Sequence, residues 1–168
     1  MARRSMTTLD PNRTHFVIPA ALVADTTELL AEPGREGFEG SVLWIGRVVG
    51  ETTVHVTRAY RPEQLAHATA AGLAVTLTED GLTALIISLT DGEIVLARLH
   101  THGNDDVNHS AVDDANLVVA HPGALSVVVP FFAATGIHLT HCGVHVLAAD
   151  HKWRRLTAVE THERVEIR

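Results

Sequence analysis

RLHTHGNDDVNHSAVDDANL, residues 98–117, runs from the end of an apolar stretch into a polar, aspartate-rich segment and holds three of the chain's twelve histidines. The residues just before it, EIVLARL, are rich in leucine and β-branched side chains, so 93–102 is predicted as a strand with His100 and His102 at its polar end. Residues two apart on a strand share a face, with Cα atoms about 6.6 Å apart. Two imidazoles placed this way can meet one ion at roughly 2.0 to 2.1 Å from each nitrogen. A His-x-His pair arises by chance roughly once in a chain this rich in histidine, so the pair needs a third partner to count as a site. Ser110 to Ala120 reads as a helix stopped before Pro122, which puts Ser110 and Asp113 on one side of its first turn. Two readings stand there: Asp113 is a third ligand, or Ser110 and Asp113 are the N-cap and N3 residues of a capping-box variant that needs no metal.

Outward from this segment, strands and helices interleave, which predicts a mixed α/β domain. A first strand is expected near Phe16-Val17-Ile18, then a helix from Ala20 to Glu32 closed by Pro33-Gly34, then a hairpin of SVLWIGRVV (41–49) and TTVHVTRAY (52–60). PEQLAHATAAGLAVTLT reads as a loop or short helix followed by a strand. EDGLTALIISL (79–89) repeats Leu82, Leu85, Ile86 and Leu89 at helical spacing. LSVVVP and GVHVLAAD are further strands, and KWRRLTAVE is a last strand or hairpin partner.

Composition narrows the function. The 168 residues suit one domain, read as a loose polar leader over 1–13 and a folded domain over 14–168. Thirteen basic against twenty acidic side chains give a net charge of −7, which argues against a nucleic-acid footprint. A single cysteine, Cys142, rules out an internal disulfide and a zinc site built on several thiolates, so any metal must use histidine and carboxylate. No apolar run approaches the roughly 18 residues needed to span a membrane, and the cytoplasm is the default location.

The interval His100-x-His102, seven residues, Ser110, two residues, Asp113 resembles the JAMM motif of MPN-type metallopeptidases. A chance match to all four positions is expected at roughly one in seven hundred. EGSVLWIG, residues 39–46, is similar to the family's glutamate-bearing strand, with Glu39, apolar Leu43 and Ile45, and Gly46 seven residues on. Val42 replaces the family's first glycine, which leaves Glu36 as a competitor for the glutamate. Gly103 stands where the family usually has proline, a change expected to loosen the loop without removing a ligand. The order of elements is also similar, over about residues 14–158.

The resemblance implies a single JAMM/MPN domain: a curved, mostly antiparallel sheet flanked by helices, in a layout related to cytidine deaminases. The deaminase signatures His-x-Glu and Pro-Cys-x-x-Cys are absent. It further implies one Zn²⁺ held by His100, His102 and Asp113, Glu39 as general base and acid toward the attacking water, and Ser110 as an oxyanion donor. The implied substrate is a peptide or isopeptide bond after the C-terminal glycine of a ubiquitin-like protein, with E1-like and E2-like enzymes as possible pathway partners. Small peptide or cysteine adducts in a sulfur-carrier pathway, and a non-catalytic scaffold, are the alternatives.

Other groups carry weaker signals. His138, His141, Cys142 and His145 lie close in sequence but straddle a helical and a strand-like pattern, so they are expected as loop or partly buried residues. Ser110 lacks the Gly-x-Ser-x-Gly elbow of a nucleophile. His109 and Asp114 flank the motif and either support the ligands from behind or, as the default, face solvent, and Trp44 and Trp153 are expected to serve packing.

Overall fold

The computed structural model describes residues 9–70, 72–115 and 118–168. In chain order the elements are β1 (His15–Ile18), α1 (Ala20–Gly34), β2 (Ser41–Val49), β3 (Thr53–Tyr60), β4 (Gln64–Thr69), β5 (Gly72–Leu77), α2 (Glu79–Ser88), β6 (Ile94–Thr101), α3 (Ala111–Ala115), β7 (Leu125–Val129), β8 (Gly143–Leu147), β9 (Trp153–Arg155), α4 (Ala158–Arg164) and β10 (Val165–Ile167). Among the described residues, eight strands form one curled sheet in the order β10-β1-β3-β2-β6-β7-β8-β9, and β4 and β5 form a separate hairpin. Four of the seven pairings in the large sheet are antiparallel; β10-β1, β1-β3 and β6-β7 are parallel.

β2 lies at the centre because its sequence can bury both faces. Val42 and Trp44 enter the core that holds Leu22 and Leu30 of α1, whereas Leu43 and Ile45 pack with Leu77 and with Leu85 of α2 on the opposite side. Alternation sends even-numbered residues one way and odd-numbered ones the other. Trp44 also needs a partner for its indole N–H, and donates it to Thr26 Oγ1 on α1 at 2.9 Å. Gly46 marks an irregularity where the registers to β3 and β6 shift. A Cβ there would stand 1.9 Å from the backbone oxygen of His55, so only glycine admits the close approach of β2 and β3.

Several sequence expectations are corrected. Residues 64–77 are a β-hairpin and not a loop or short helix before a strand. On α2 only Leu85 of the expected apolar stripe is buried; Leu82 is exposed, and Ile86 is 71% exposed. α3 ends at Ala115 and residues 118–120 are not helical, while 116 and 117 of the expected helix lie outside the described residues. TAVE of the expected last strand instead opens α4, which Thr157 and Glu160 start with a capping box. Of the expected leader, residues 1–8 lie outside the described residues. Leu9, however, is buried in the main core, and Pro11 O accepts from the Arg164 guanidinium, so 9–13 belong to the packed body.

Candidate metal centre

His100 and His102 stand on one side of β6, as strand alternation requires. Asp113 comes from α3, where its carboxylate closes a capping box. Ser110 N and Oγ donate to Oδ2 at 2.8 and 2.9 Å, and Asp113 N donates back to Ser110 Oγ at 3.2 Å. The other oxygen, Oδ1, lies 2.9 Å from His100 Nε2, and Oδ2 lies 3.5 Å from His102 Nε2. One donor atom from each of the three residues falls within 4.8 Å of the others. The cap and the ligand readings of Ser110 and Asp113 are therefore compatible: the cap orients the carboxylate that faces the imidazoles.

These residues fit a metal ion. Tetrahedral bonds of 2.0–2.1 Å separate ligand atoms by about 3.3 Å, and the two observed separations bracket that value. His100 is fully buried, and neither of its ring nitrogens makes a hydrogen bond, because the short contact to Asp113 is poorly aligned for one. An orphaned buried polar atom costs about 1–3 kcal/mol, which a cation facing Nε2 would offset. His102 Nδ1 donates to Asp106 O at 2.6 Å, a bond that leaves the Nε2 lone pair free in the neutral ring.

The electrostatics agree with a ligand set. Burial, reinforced by the Arg98 guanidinium, pushes the His100 imidazole down to about 3, so it is neutral. Burial acts in the same direction on His102, but its bonds to Asp113 and Asp106 outweigh it and shift the ring upward. Burial would raise Asp113, yet the two imidazoles facing it at 2.9 and 3.5 Å, with the bond from Ser110 N, hold the carboxyl well below the usual carboxylate range. His100 is thus a neutral donor and Asp113 an ionised one, and His102 would complete the set by giving up its Nε2 proton to a bound cation, the imidazole and carboxylate donors that divalent transition metals take.

Glu39 reaches the site through sheet register. β2 pairs antiparallel with β6 so that Ser41 faces His100, Thr101 N donates to Gly40 O at 3.0 Å, and continuing that register sets Glu39 across from His102. Glu39 is buried and lines a cleft of about 250 Å³ together with His102, Gly103, Ser110, Asp113 and Leu73. Burial pushes its carboxyl up to about 7, with Asp113 reinforcing the shift and His102 and Arg98 opposing it. Glu36 is exposed in the turn after α1 and does not line the cleft.

The loop after His102 is held firmly, contrary to the loosening expected of Gly103. His102 O accepts from Phe132 N at 2.9 Å and Asn104 O from Phe131 N at 3.1 Å. Phe131, Phe132 and Ala133 take left-handed φ values of 53, 55 and 59°, a strain of order 1–2 kcal/mol per residue. The Phe132 ring fills the space a side chain at 103 would occupy: a Cβ there would lie 2.6 Å from Phe132 Cζ.

One buried polar residue escaped the sequence reading. Arg98, two residues before His100 and therefore on the same face, is buried; its Nε donates to Ser41 Oγ at 3.3 Å, and its charge acts on Asp113 and Glu39. The i, i+2 interval to His100 was the available signal. Of the two readings of His109, the supporting one fits: the residue is partly buried, its side chain 7% exposed, and it is bonded to Asp114 and Ser126.

Other candidates do not converge. His138 and His141 meet only edge to face at 5.9 Å, while His145 lies on β8 against His109. Burial pushes the Cys142 thiol up to about 11, which makes it a poor nucleophile. A larger cavity of about 450 Å³, lined by Leu139, Cys142, Leu156 and Val165, shares no residue with the cleft at Glu39. Among the described residues, no helix is long and apolar enough to cross a membrane.

Comparison with known proteins agrees with this geometry. The chain is 30% identical over 158 residues to the "Probable metalloprotease y4jG" of Sinorhizobium fredii, covering 90% of this chain and 92% of that protein. No family model matches. A solution structure of a Desulfitobacterium hafniense protein is similar in fold at TM-score 0.57 and 16% identity, over 91% of this chain and 92% of that one. A solution structure from Salinibacter ruber is similar at TM-score 0.50 and 20% identity, over 79% and 86%. A crystal structure of a JAB1/MPN domain protein from Archaeoglobus fulgidus matches over 92% and 98% at 10% identity, but its TM-score of 0.48 is too low to carry weight.

Proposed function

Because the chain belongs to the JAMM/MPN metallopeptidase family, we propose that it is a zinc-dependent hydrolase that cuts the bond after the C-terminal glycine of a ubiquitin-like protein. The observation that carries this reading is the convergence of His100, His102 and Asp113 within 4.8 Å, beside a cleft lined by Glu39 and Ser110. His100, His102 and Asp113 would hold the ion. Zinc bound there would supply Lewis acidity, polarising the scissile carbonyl and making water a usable nucleophile near neutral pH.

The chain's own groups do the rest. The Glu39 carboxyl, poised at about 7, accepts the proton of the attacking water and returns it to the departing amine. Ser110 has one hydroxyl proton, donated to Asp113 Oδ2 in this structure, and must swing it toward the substrate to stabilise an oxyanion. Gly72 lines the cleft without a side chain and with nothing within 4 Å of where its Cβ would stand, leaving room for a tail of small residues. The edge of β5 beside it, unpaired by any strand among the described residues other than β4 on its opposite side, offers main-chain groups to an extended strand. A ubiquitin-like protein is thus the proposed partner, with E1-like and E2-like enzymes of the same pathway.

The test is metal analysis joined to cleavage of a ubiquitin-like fusion. Wild type should hold one zinc per chain and Asp113→Ala none. Glu39→Gln should keep the metal and lose roughly 10²–10⁴ in turnover, while Glu36→Gln stays active. A wild-type chain that binds no zinc, or an active Glu39→Gln, overturns the mechanism. Cleavage of small peptides but not of the fusion would move the substrate to the short-peptide class.

A further inference from the structure

α3 supplies Asp113 to the metal cluster, yet it has little of its own to hold it in place. It is five residues long, too short to persist alone, and its only buried residue is Asp113. Val112 is exposed, so among the described residues of α3 no apolar side chain is buried against the sheet. The anchor must be polar and must lie beside the helix.

His109, just before Ser110, provides it. Its Nδ1 lies 3.0 Å from Asp114 Oδ1, and a carboxylate only accepts, so Nδ1 carries the proton. Nε2 is then the acceptor, and Ser126 Oγ on β7 donates to it at 2.9 Å. One proton assignment satisfies both bonds. The aspartate-histidine-serine order resembles a hydrolytic triad, but Ser126 is 2% exposed within the sheet, beyond the reach of a substrate. The arrangement is a strut.

The strut ends in the metal-bearing part of the sheet. Ser126 pairs with Arg98 of β6, two residues before His100, and with His145 of β8. The His145 ring stacks on His109 at 4.0 Å between centroids, and Trp153 of β9 meets it edge-on at 5.3 Å. Three neighbouring strands therefore fix the His109 ring, and through it the start of α3.

We infer that His109 is a positioning residue, which through Asp114 and Ser126 sets the distance from Ser110 and Asp113 to His100 and His102. The inference rests on the metal-site reading above for its consequence, while the strut itself can be tested without metal. Hydrogen exchange of the apoprotein is measured at the Asp113 and Asp114 amides, which bond to Ser110. Exchange there should quicken about tenfold in His109→Ala and in Ser126→Ala, with amides of β2 and β6 unchanged. The double variant should exchange no faster than the quicker single one, because both break the same strut.

Zinc dissociation constants from chelator competition, and the Co²⁺ absorption spectrum, form the second arm. Affinity should fall roughly 10- to 100-fold in each single variant, as expected when a group supporting a ligand is lost. Wild-type exchange at both amides in both single variants overturns the strut, and wild-type metal affinity with quickened exchange overturns its role in setting the metal-site distances. If wild type binds no zinc, the metal reading fails, and the exchange arm alone decides whether His109 positions α3. Ser126→Ala removes one hydroxyl and no ring, so it decides the matter even if His109→Ala does not fold.

Discussion

Replacing Gly103 by proline, the residue the family resemblance leads one to expect there, should destabilise this protein. A Cβ at 103 would stand 2.6 Å from Phe132 Cζ and 3.0 Å from Cε2. The base of the side chain is confined as its tip is: a Cβ at Gly34 would stand 2.4 Å from Phe132 Cβ, so a glycine lies against each end of the side chain and together they form the slot that holds it. The Phe132 backbone is tied as well, through its bond to His102 O. Proline restricts the unfolded chain and gains about 0.4–1 kcal/mol where the site is compatible, whereas forcing atoms into packed space costs about 1–3 kcal/mol. The second effect is larger, leaving a net loss of about 1–2 kcal/mol, or about 3–6 °C in Tm for a chain of this size. Urea denaturation of wild type, Gly103→Pro, Phe132→Ala and the double variant measures it. Phe132→Ala is destabilising by itself, but proline should add no further loss on top of it. A Gly103→Pro protein as stable as wild type, or losses that simply add, would refute the slot.

Two further perturbations test the frame around the site. Arg58 donates Nε and Nη2 to the two oxygens of Glu93 at 3.1 Å, and these bonds, with one from Thr90 N, pull the Glu93 carboxyl down from 4.5 to about 2. A depressed folded-state value means the contribution is complete above about 4.5 and fades as pH falls through about 2. Discounted for the partly exposed guanidinium, Glu93→Gln should cost about 1–2 kcal/mol at neutral pH and little near pH 2, read from denaturation midpoints across pH. Gly46→Ala should cost about 3 kcal/mol, because its Cβ would meet the His55 carbonyl and push β2 from β3; an unchanged urea midpoint would show that the sheet yields easily.

The hairpin 64–77 was hidden because QLAHAT and GLAVTL carry a weak alternation diluted by alanine and threonine, residues that strands and loops both tolerate. Its two strands satisfy each other's backbone through a six-pair register that local sequence does not announce. The apolar repeat on α2 misled in the opposite way. Helical spacing identified the helix, but of the stripe only Leu85 is buried in the core and Leu89 packs partly against it, while Leu82 and Ile86 stay exposed.

The sequence by itself determined the local chemistry. Alternation set His100 and His102 on one face of a strand, and the three-residue interval from Ser110 to Asp113 made a helix cap whose carboxylate could also face an ion. Both are short-range geometries that chain connectivity dictates. Only the tertiary structure decided what lies between them. The β2–β6 register carried Glu39 across some sixty residues to face His102 and left Glu36 outside. Packing turned Gly103 from an expected loose point into a slot for Phe132, and decided between the two readings of His109 by linking it to Ser126 of β7. Those outcomes depend on strands distant in sequence meeting in one register, and no spacing within a single segment encodes which partners will meet.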